Sequence, residues 1–340
     1  MEITVMMSTF RHEVTHEGHV GQVRRHAREA AKKLGGDEAA EGAAGIIATE
    51  LATNIVKHGG GGEILLREIR TGDHGVLEYH ALDSGAGMAN VSACLRDGYS
   101  TAGSAGTGLG AVRRMSDQFQ IHSGAGKGTV IWARQAVAGG AAGKPPAFEI
   151  SGISVAVRGE ELCGDCWDAE ETGGLLRVMV ADGLGHGPFA EAASREAVHV
   201  FRQRGNAGPA DCLDHMHHAL FKTRGAAASV VRISPATGLL QSAGVGNVVV
   251  RNCVGNAAKT LSGDNGTLGA AIRRVNETSL PWGGENVLVM HSDGIASAWN
   301  FEAYPGLANR HPGLIAGVIY RDFRRIHDDS TVVVVRPSAP

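Results

Sequence analysis

From residue 17 to 34 the apolar positions Val20, Val23, Ala27, Ala30, Ala31 and Leu34 recur at helical spacing, and Gly35-Gly36 ends the run. Asp37 is placed to cap a second helix over about residues 38–58, with Ala43, Ile46, Ile47, Leu51, Ile55 and Val56 as its apolar positions. Gly59 to Gly62 stops it. Residues 1–7 alternate weakly, as an edge strand would. Residues 76–82, 119–122 and 129–134 predict strands, the last two joined at Gly126-Lys127-Gly128, and residues 111–116 predict a short helix. Residues 136–147 hold small residues, Gly139-Gly140 and Pro145-Pro146, and read as a linker.

The second half is richer in strands. They are predicted at 148–158, briefly around Asp165 and Trp167, and at 175–181, 228–233, 239–243, 248–252, 286–290 and 330–336. Helices are predicted at 188–204, 209–222 and about 313–323, and residues 261–272 form a loop. Periodicity alone gives an α+β class. A length of 340 suggests two domains, at 1–135 and 148–340 around the 136–147 linker.

Composition narrows the picture. Hydrophobic content of 43% and charged content of 20% are ordinary for a soluble globular chain. A net charge of −3 implies no general attraction to nucleic acid or membrane. No apolar run approaches the ~20 residues that span a bilayer. Met1-Glu2-Ile3-Thr4 has no basic n-region and no signal-peptide core, so the expected location is cytoplasmic. The cysteines, an odd 5, suggest no disulfide framework. Cys163-x-x-Cys166 lacks the second pair of a structural zinc site, and His215, His217 and His218 read as a solvated helix face.

Carboxylates sit at the ends of apolar runs. Asp182-Gly183 follows Val178-Met179-Val180-Ala181, Ser292-Asp293-Gly294 follows Val287-Leu288-Val289-Met290, and Asp328-Asp329 precedes Val332-Val333-Val334-Val335. One such acid is ordinarily a turn former. Three, with Asp165 after Gly164, suit hard divalent cations such as Mg²⁺ or Mn²⁺, which take oxygen ligands. Gly183 would let its own carbonyl approach such an ion.

Val180-Ala181-Asp182-Gly183-Leu184-Gly185-His186-Gly187, Ser292-Asp293-Gly294-Ile295 and Asp328-Asp329-Ser330-Thr331, in this order, resemble the SpoIIE subgroup of metal-dependent (PPM-type) protein serine/threonine phosphatases, over about residues 149–336. Gly266-Thr267-Leu268-Gly269 also recurs in that subgroup. One departure is Cys163-Gly164-Asp165, where the subgroup carries Gly-Gly-Asp. The resemblance implies a β-sandwich flanked by helices, and two Mn²⁺ or Mg²⁺ ions that lower the pKa of the water attacking a phosphoserine or phosphothreonine. It implies Asp182 as the bridge, the Gly183 carbonyl on one ion, and Asp165, Asp293 and Asp328 completing the set. Asp329 falls where many relatives have a neutral residue. His186 has two readings, a proton donor or a stabiliser of its loop.

The first half carries a different set. Glu50 and Asn54 are four apart and share a helix face, which alone is an ordinary polar stripe. They are followed by Asp83-Ser84-Gly85-Ala86-Gly87 after a strand, by Gly106-Thr107-Gly108-Leu109-Gly110 at a helix start, and by Gly128-Thr129. Together these suit ATP. Asp83 can accept from the adenine amino group, Gly85 and Gly87 let backbone approach the base, and Gly106, Gly108 and Gly110 turn N–H groups to phosphates. Asn54 offers an oxygen to Mg²⁺, and Glu50 can deprotonate an attacking hydroxyl. The set resembles the GHKL (Bergerat-type) ATPases over residues 8–135, closest to the serine kinases of the RsbT and RsbW kind. The resemblance implies an α/β sandwich, a mixed sheet with helices on one face, and brings Thr129 into the nucleotide site. A two-component histidine kinase would need a long helical hairpin. Only one short helix precedes Glu50, and its His26 reads as a surface residue.

The joint expectation is a bifunctional regulator, an ATP-dependent serine/threonine kinase fused to an opposing RsbX- or SpoIIE-like phosphatase. The resemblance suggests a STAS-type anti-sigma antagonist as substrate, in a sigma-factor pathway, and kinases of this kind often act as dimers. Two alternatives stand. One is a first domain that binds ATP and a partner without transferring phosphate, and the other is a scaffold with decayed motifs.

Overall fold

The computed structural model describes residues 6–95, 108–139 and 146–338. The chain divides into two compact units, one on either side of residues 140–145.

In chain order the first unit holds β1 (Met6–Val14), α1 (Glu17–Lys33), α2 (Glu38–Asn54), a π-helical turn (Ile55–Gly59), β2 (Gly62–Thr71), β3 (His74–Asp83), α3 (Val91–Cys94), α4 (Gly108–Met115), β4 (Gln118–Ser123) and β5 (Thr129–Ala138). The strands form one sheet in the order β1-β2-β3-β5-β4. Every ladder is antiparallel, where the resemblance implied a mixed sheet. One sheet face supplies Ile64, Leu66, Leu77, Tyr79, Ile131 and Ala133 to a core shared with Val23, Ala27 and Ala31 of α1 and Ile47 and Leu51 of α2. That is the period-2 face of a sheet meeting two amphipathic helices. Asp37 caps α2 as expected, accepting the Ala40 N–H at 2.8 Å.

Several boundaries differ from the pattern reading. β2 gave no strand signal because charges interrupt its alternation. The structure buries Arg67 with Glu78 at 2.7 Å, and Glu68, itself buried, meets the exposed Lys33 at 2.6 Å. β5 runs on to Ala138, so the linker cannot begin at 136, because Val137 packs into the core. α4 begins at Gly108 rather than at 111. His26, expected at the surface, is half-buried. Phe10 and His12 of β1 pack on it, and its Nδ1 lies 2.6 Å from His12 Nε2.

The second unit holds β6 (Phe148–Val155), β7 (Asp165–Thr172), β8 (Leu175–Gly183), α5 (Pro188–Gln203), α6 (Pro209–Ala219), β9 (Ala226–Ser234), β10 (Leu239–Val245), β11 (Val249–Val254), β12 (Ala257–Leu261), β13 (Gly266–Thr267), β14 (Ala271–Ile272), β15 (Thr278–Pro281), β16 (Asn286–His291), α7 (Pro312–Phe323) and β17 (Ser330–Pro337). Two five-stranded sheets run β15-β10-β9-β8-β7 and β12-β11-β16-β17-β6, antiparallel throughout. They pack face to face, with β7 against β6 and β17. α5 and α6 cover the outside of the first sheet and α7 the outside of the second. Met179 and Ala181 of β8 pack with Ala193, Ala197, Phe201 and Met216 of the helices. Val178, Val180 and Asp182 alternate to the other face, between the sheets. The loop read at 261–272 contains the small β13–β14 hairpin. Among the described residues no helix is long and apolar enough to cross a membrane.

Candidate functional site

In the second unit both sheets bring acids to the same end of the sandwich. Asp165 and Asp182 are direct register partners across β7 and β8, so their side chains share a face. The other sheet contributes through its own strand ends. Ser292, just after β16, donates its Oγ to Asp165 Oδ2 at 2.6 Å and accepts the Thr331 N–H from β17 at 3.0 Å. Asp293 and Asp328 follow from those ends, and Asn247 Nδ2 donates to Asp293 Oδ2 at 2.7 Å.

The electrostatics show how closely these groups feel one another. Burial pushes the Asp182 carboxyl up to about 9, reinforced by Asp165, Asp293, Asp328 and Asp329. Burial pushes Asp165 up to about 7, against the opposing hydrogen bond from Ser292 and with Asp329 and Asp328 adding to the rise. Asp328 is raised by burial and then by Asp293, to which it is hydrogen-bonded. A divalent cation can hold such groups together. Among the described residues no three His, Cys, Asp or Glu side chains close around one point at ligand spacing. The acids lie within strong Coulombic range without forming a closed shell. Their chemistry, carboxyl oxygens crowded together where each resists ionising beside the others, fits hard divalent ions.

A pH dependence follows. Carboxyls raised to about 7 and about 9 keep protons that the unfolded chain gives up near pH 4. Their contribution to stability is full below pH 4 and is lost as pH rises through the folded values. Thermal unfolding in EDTA should therefore shift to lower temperature from pH 6 to pH 9, and saturating Mn²⁺ should flatten that slope. An equal slope with and without Mn²⁺ would contradict this.

Asp329 is a clamp within this arrangement. It is 2% exposed, and its two oxygens accept the N–H groups of Val157 and Gly164, each at 2.8 Å. Gly183 has a packing reason beyond any carbonyl reach, since a Cβ there would collide with the Ala190 carbonyl oxygen. A Cβ on Gly294 would likewise collide with the Asp329 carbonyl. His186 projects outward and its Nδ1 pairs with Glu160 Oε1 at 2.8 Å. His217 is not simply solvated, because its Nδ1 accepts the Gly269 N–H at 3.1 Å. Cys163 and Cys166 are free thiols, both pushed up by burial. Sequence reasoning gave no role to Ser292, Asn247 or Glu160. Only the position of Ser292, immediately before Asp293-Gly294, was a signal.

In the first unit Glu50 and Asn54 lie on the last turn of α2, which widens into the π-helical turn. Such turns mark functional sites often enough to be informative. Here the widening brings Gly59 against Asp83, where a Cβ would lie 2.7 Å from Asp83 Cβ. Asp83 Oδ1 accepts the N–H groups of Gly85 at 2.9 Å and Thr129 at 3.2 Å. Thr129 Oγ1 meets Ser123 Oγ at 2.9 Å, and Ser123 Oγ also accepts the Met88 N–H at 2.8 Å. Asp83, Gly85 and Thr129 therefore form one connected floor, with Ser123 and Met88 tied to it. Gly85 and Gly87 also serve packing. A Cβ on Gly85 would lie 2.5 Å from the His58 carbonyl oxygen, and one on Gly87 would collide with that of Gly124.

Gly108 opens α4 beside Glu50, its Cβ position only 2.5 Å from Glu50 Oε2. Gly110 is buried on the same helix. Gly106 lies outside the described residues. The Asn54 amide nitrogen is buried without a hydrogen-bond partner among the described residues. Turning the amide over would present its oxygen to a cation at the same position. That fits a nucleotide-bound Mg²⁺.

Comparison with known proteins matches each unit separately. Residues 13–135 match the histidine kinase-like ATPase domain family, and residues 172–338 match stage II sporulation protein E, SpoIIE. The serine/threonine-protein kinase RsbT of Bacillus subtilis (strain 168) is 34% identical over 110 residues, 32% of this chain and 83% of RsbT. A solved structure from work on the bacterial stressosome, a modular system adapted to control secondary messenger signalling, aligns at 28% identity and a TM-score of 0.51. It covers 56% of this chain and 99% of its own. The PP2C phosphatase domain of Bacillus subtilis SpoIIE, with a fragment of its regulatory domain, aligns at 17% identity and a TM-score of 0.48, covering 78% of this chain and 80% of its own. The chain thus belongs to the RsbT family of histidine-kinase-like ATPases in its first unit, and joins to it a SpoIIE-type PPM phosphatase domain.

Proposed function

We propose that this chain is a bifunctional partner-switching regulator, whose first unit phosphorylates a serine or threonine of a partner protein and whose second unit removes that phosphate. The observation that carries the reading is the convergence of Asp165, Asp182, Asp293 and Asp328 from both sheets in a chain whose other unit is RsbT-like. The partner we infer is a STAS-type protein, on the strength of that likeness.

In the first unit Asp83 would receive the adenine amino group, on a floor held by Gly85 and Thr129. Asn54 would face Mg²⁺ on the phosphates, with the backbone of Gly106, Gly108 and Gly110 around them. Glu50, beside Gly108, would take the proton of the attacking hydroxyl. In the second unit Asp182 would be shared between two divalent ions, with the Gly183 carbonyl, Asp165, Asp293 and Asp328 as the remaining donors. Ions of this kind supply charge neutralisation and an activated water for in-line attack on a phosphoester. Ser292 orients Asp165, Asn247 orients Asp293, and Asp329 holds the loops at Val157 and Gly164 that frame them. His186, aligned by Glu160, would deliver a proton to the departing hydroxyl.

The test is incorporation of label from [γ-³²P]ATP into a candidate STAS protein by the purified chain. Little label should accumulate with the wild-type chain, and much with a chain carrying Asp182→Asn and Asp293→Asn. No label with either would exclude phosphotransfer, leaving a phosphatase whose first unit only binds nucleotide.

A further inference from the structure

Beside the acid cluster lies a feature that the phosphatase chemistry does not use. Leu184, two residues after Asp182, is 42% exposed, and Phe189 on the first turn of α5 is 68% exposed. Arg224 lays its guanidinium over the Phe189 ring, 4.9 Å from the centroid. Its loop is tied to the acid turn, because the Leu184 N–H donates to the Gly225 carbonyl at 3.0 Å. Arg224 Nη1 also lies 3.1 Å from where a Cβ on Gly185 would stand. Arg224 is itself exposed and makes no hydrogen bond or ion pair among the described residues.

Two large apolar side chains thus stand in solvent beside the loop that carries Asp182, with a cation fixed across one of them. A stacked guanidinium is pre-organised, so it loses little freedom when it meets a planar anion. The acids at the sandwich end supply only negative charge. Arg224 supplies the complementary sign at their rim, and Phe189 and Leu184 supply the apolar area.

We propose that Leu184, Phe189 and Arg224 form the lip on which the phosphoprotein is seated. The lip would take a segment with an apolar side chain on one flank of the phosphoserine and a carboxylate on the other. Arg224 would pair with that carboxylate, and the apolar residue would cover Phe189 and Leu184. This rests on the phosphatase reading above. It makes Arg224 a positioning residue for the substrate, outside the step at phosphorus.

The test uses the full chain with Mn²⁺ and three substrates: p-nitrophenyl phosphate and two phosphoserine peptides identical except at the flanks. One peptide reads Leu-phosphoSer-Asp and the other Gly-phosphoSer-Lys. The wild-type chain should favour the first in kcat/KM by about ten-fold or more. Arg224→Ala should abolish that preference mainly through KM, while p-nitrophenyl phosphate turnover stays within about two-fold. Arg224→Lys should keep part of it, and Phe189→Ala should raise KM for the Leu peptide. The proposal is overturned if Arg224→Ala keeps the full preference, if the wild-type chain has none, or if p-nitrophenyl phosphate turnover falls in parallel. If the wild-type chain hydrolyses no substrate, the phosphatase reading fails first and the docking lip fails with it.

Discussion

Replacing Asp182 by Asn should lower Mn²⁺-dependent hydrolysis of p-nitrophenyl phosphate by about 10³-fold or more while making the metal-free protein more resistant to heat. The first effect follows from the proposed shared position of Asp182. Losing a bridging charge removes several kcal/mol of stabilisation from the transition state, at about 1.4 kcal/mol per factor of ten. The second follows from the repulsion already present, since the Asp182 carboxyl is pushed up to about 9 by burial and by its acidic neighbours. Asparagine keeps the shape and removes the charge, which relieves that cost. The opposed signs matter. An acid serving the fold alone would lose stability on substitution, whereas one kept for function lowers stability where it acts. Kinetics and melting curves in EDTA on the same preparation give both readings, and a fall in both would contradict the account.

Changing Glu50 to Gln should reduce labelling of the partner protein by about 10²–10⁴-fold, the range for a general base, with ATP still bound. It is best measured in the chain that also carries Asp182→Asn, where the opposing activity is silent. Glu50 lies against Gly108 at the start of α4, so the proposed base and the end of the proposed phosphate loop are adjacent. If Glu50→Gln leaves labelling unchanged, transfer does not depend on this residue. If it weakens ATP binding as much as labelling, its role is in holding the nucleotide.

The acids were legible because each closes or opens an apolar run, and strand ends are where side chains from separate strands can meet. That Asp165 faces Asp182 was not legible, because register depends on pairing that periodicity does not encode. The same limit hid Ser292 and Asn247, whose roles exist only once two strand ends are side by side. Ion pairs hid β2 altogether: the charges of Arg67 and Glu68 break its apolar alternation, and only the fold shows Arg67 buried opposite Glu78 and Glu68 buried against Lys33 of α1. The nucleotide motifs were plain as a series, but their glycines carry two loads. Gly85 and Gly87 are required by backbone packing against His58 and Gly124, which a motif reading assigns wholly to the ligand. Asp329 shows the converse, an acid inside a metal motif whose two oxygens are taken by backbone N–H groups.

Strand-end carboxylates from two sheets are proposed to hold divalent ions, and calorimetric titration of the nucleotide-free chain with Mn²⁺ measures this. The wild type should take up about two ions per chain, and Asp182→Asn should weaken binding of both, because that side chain would be shared. No measurable binding, or unchanged binding in the Asp182→Asn chain, would contradict it.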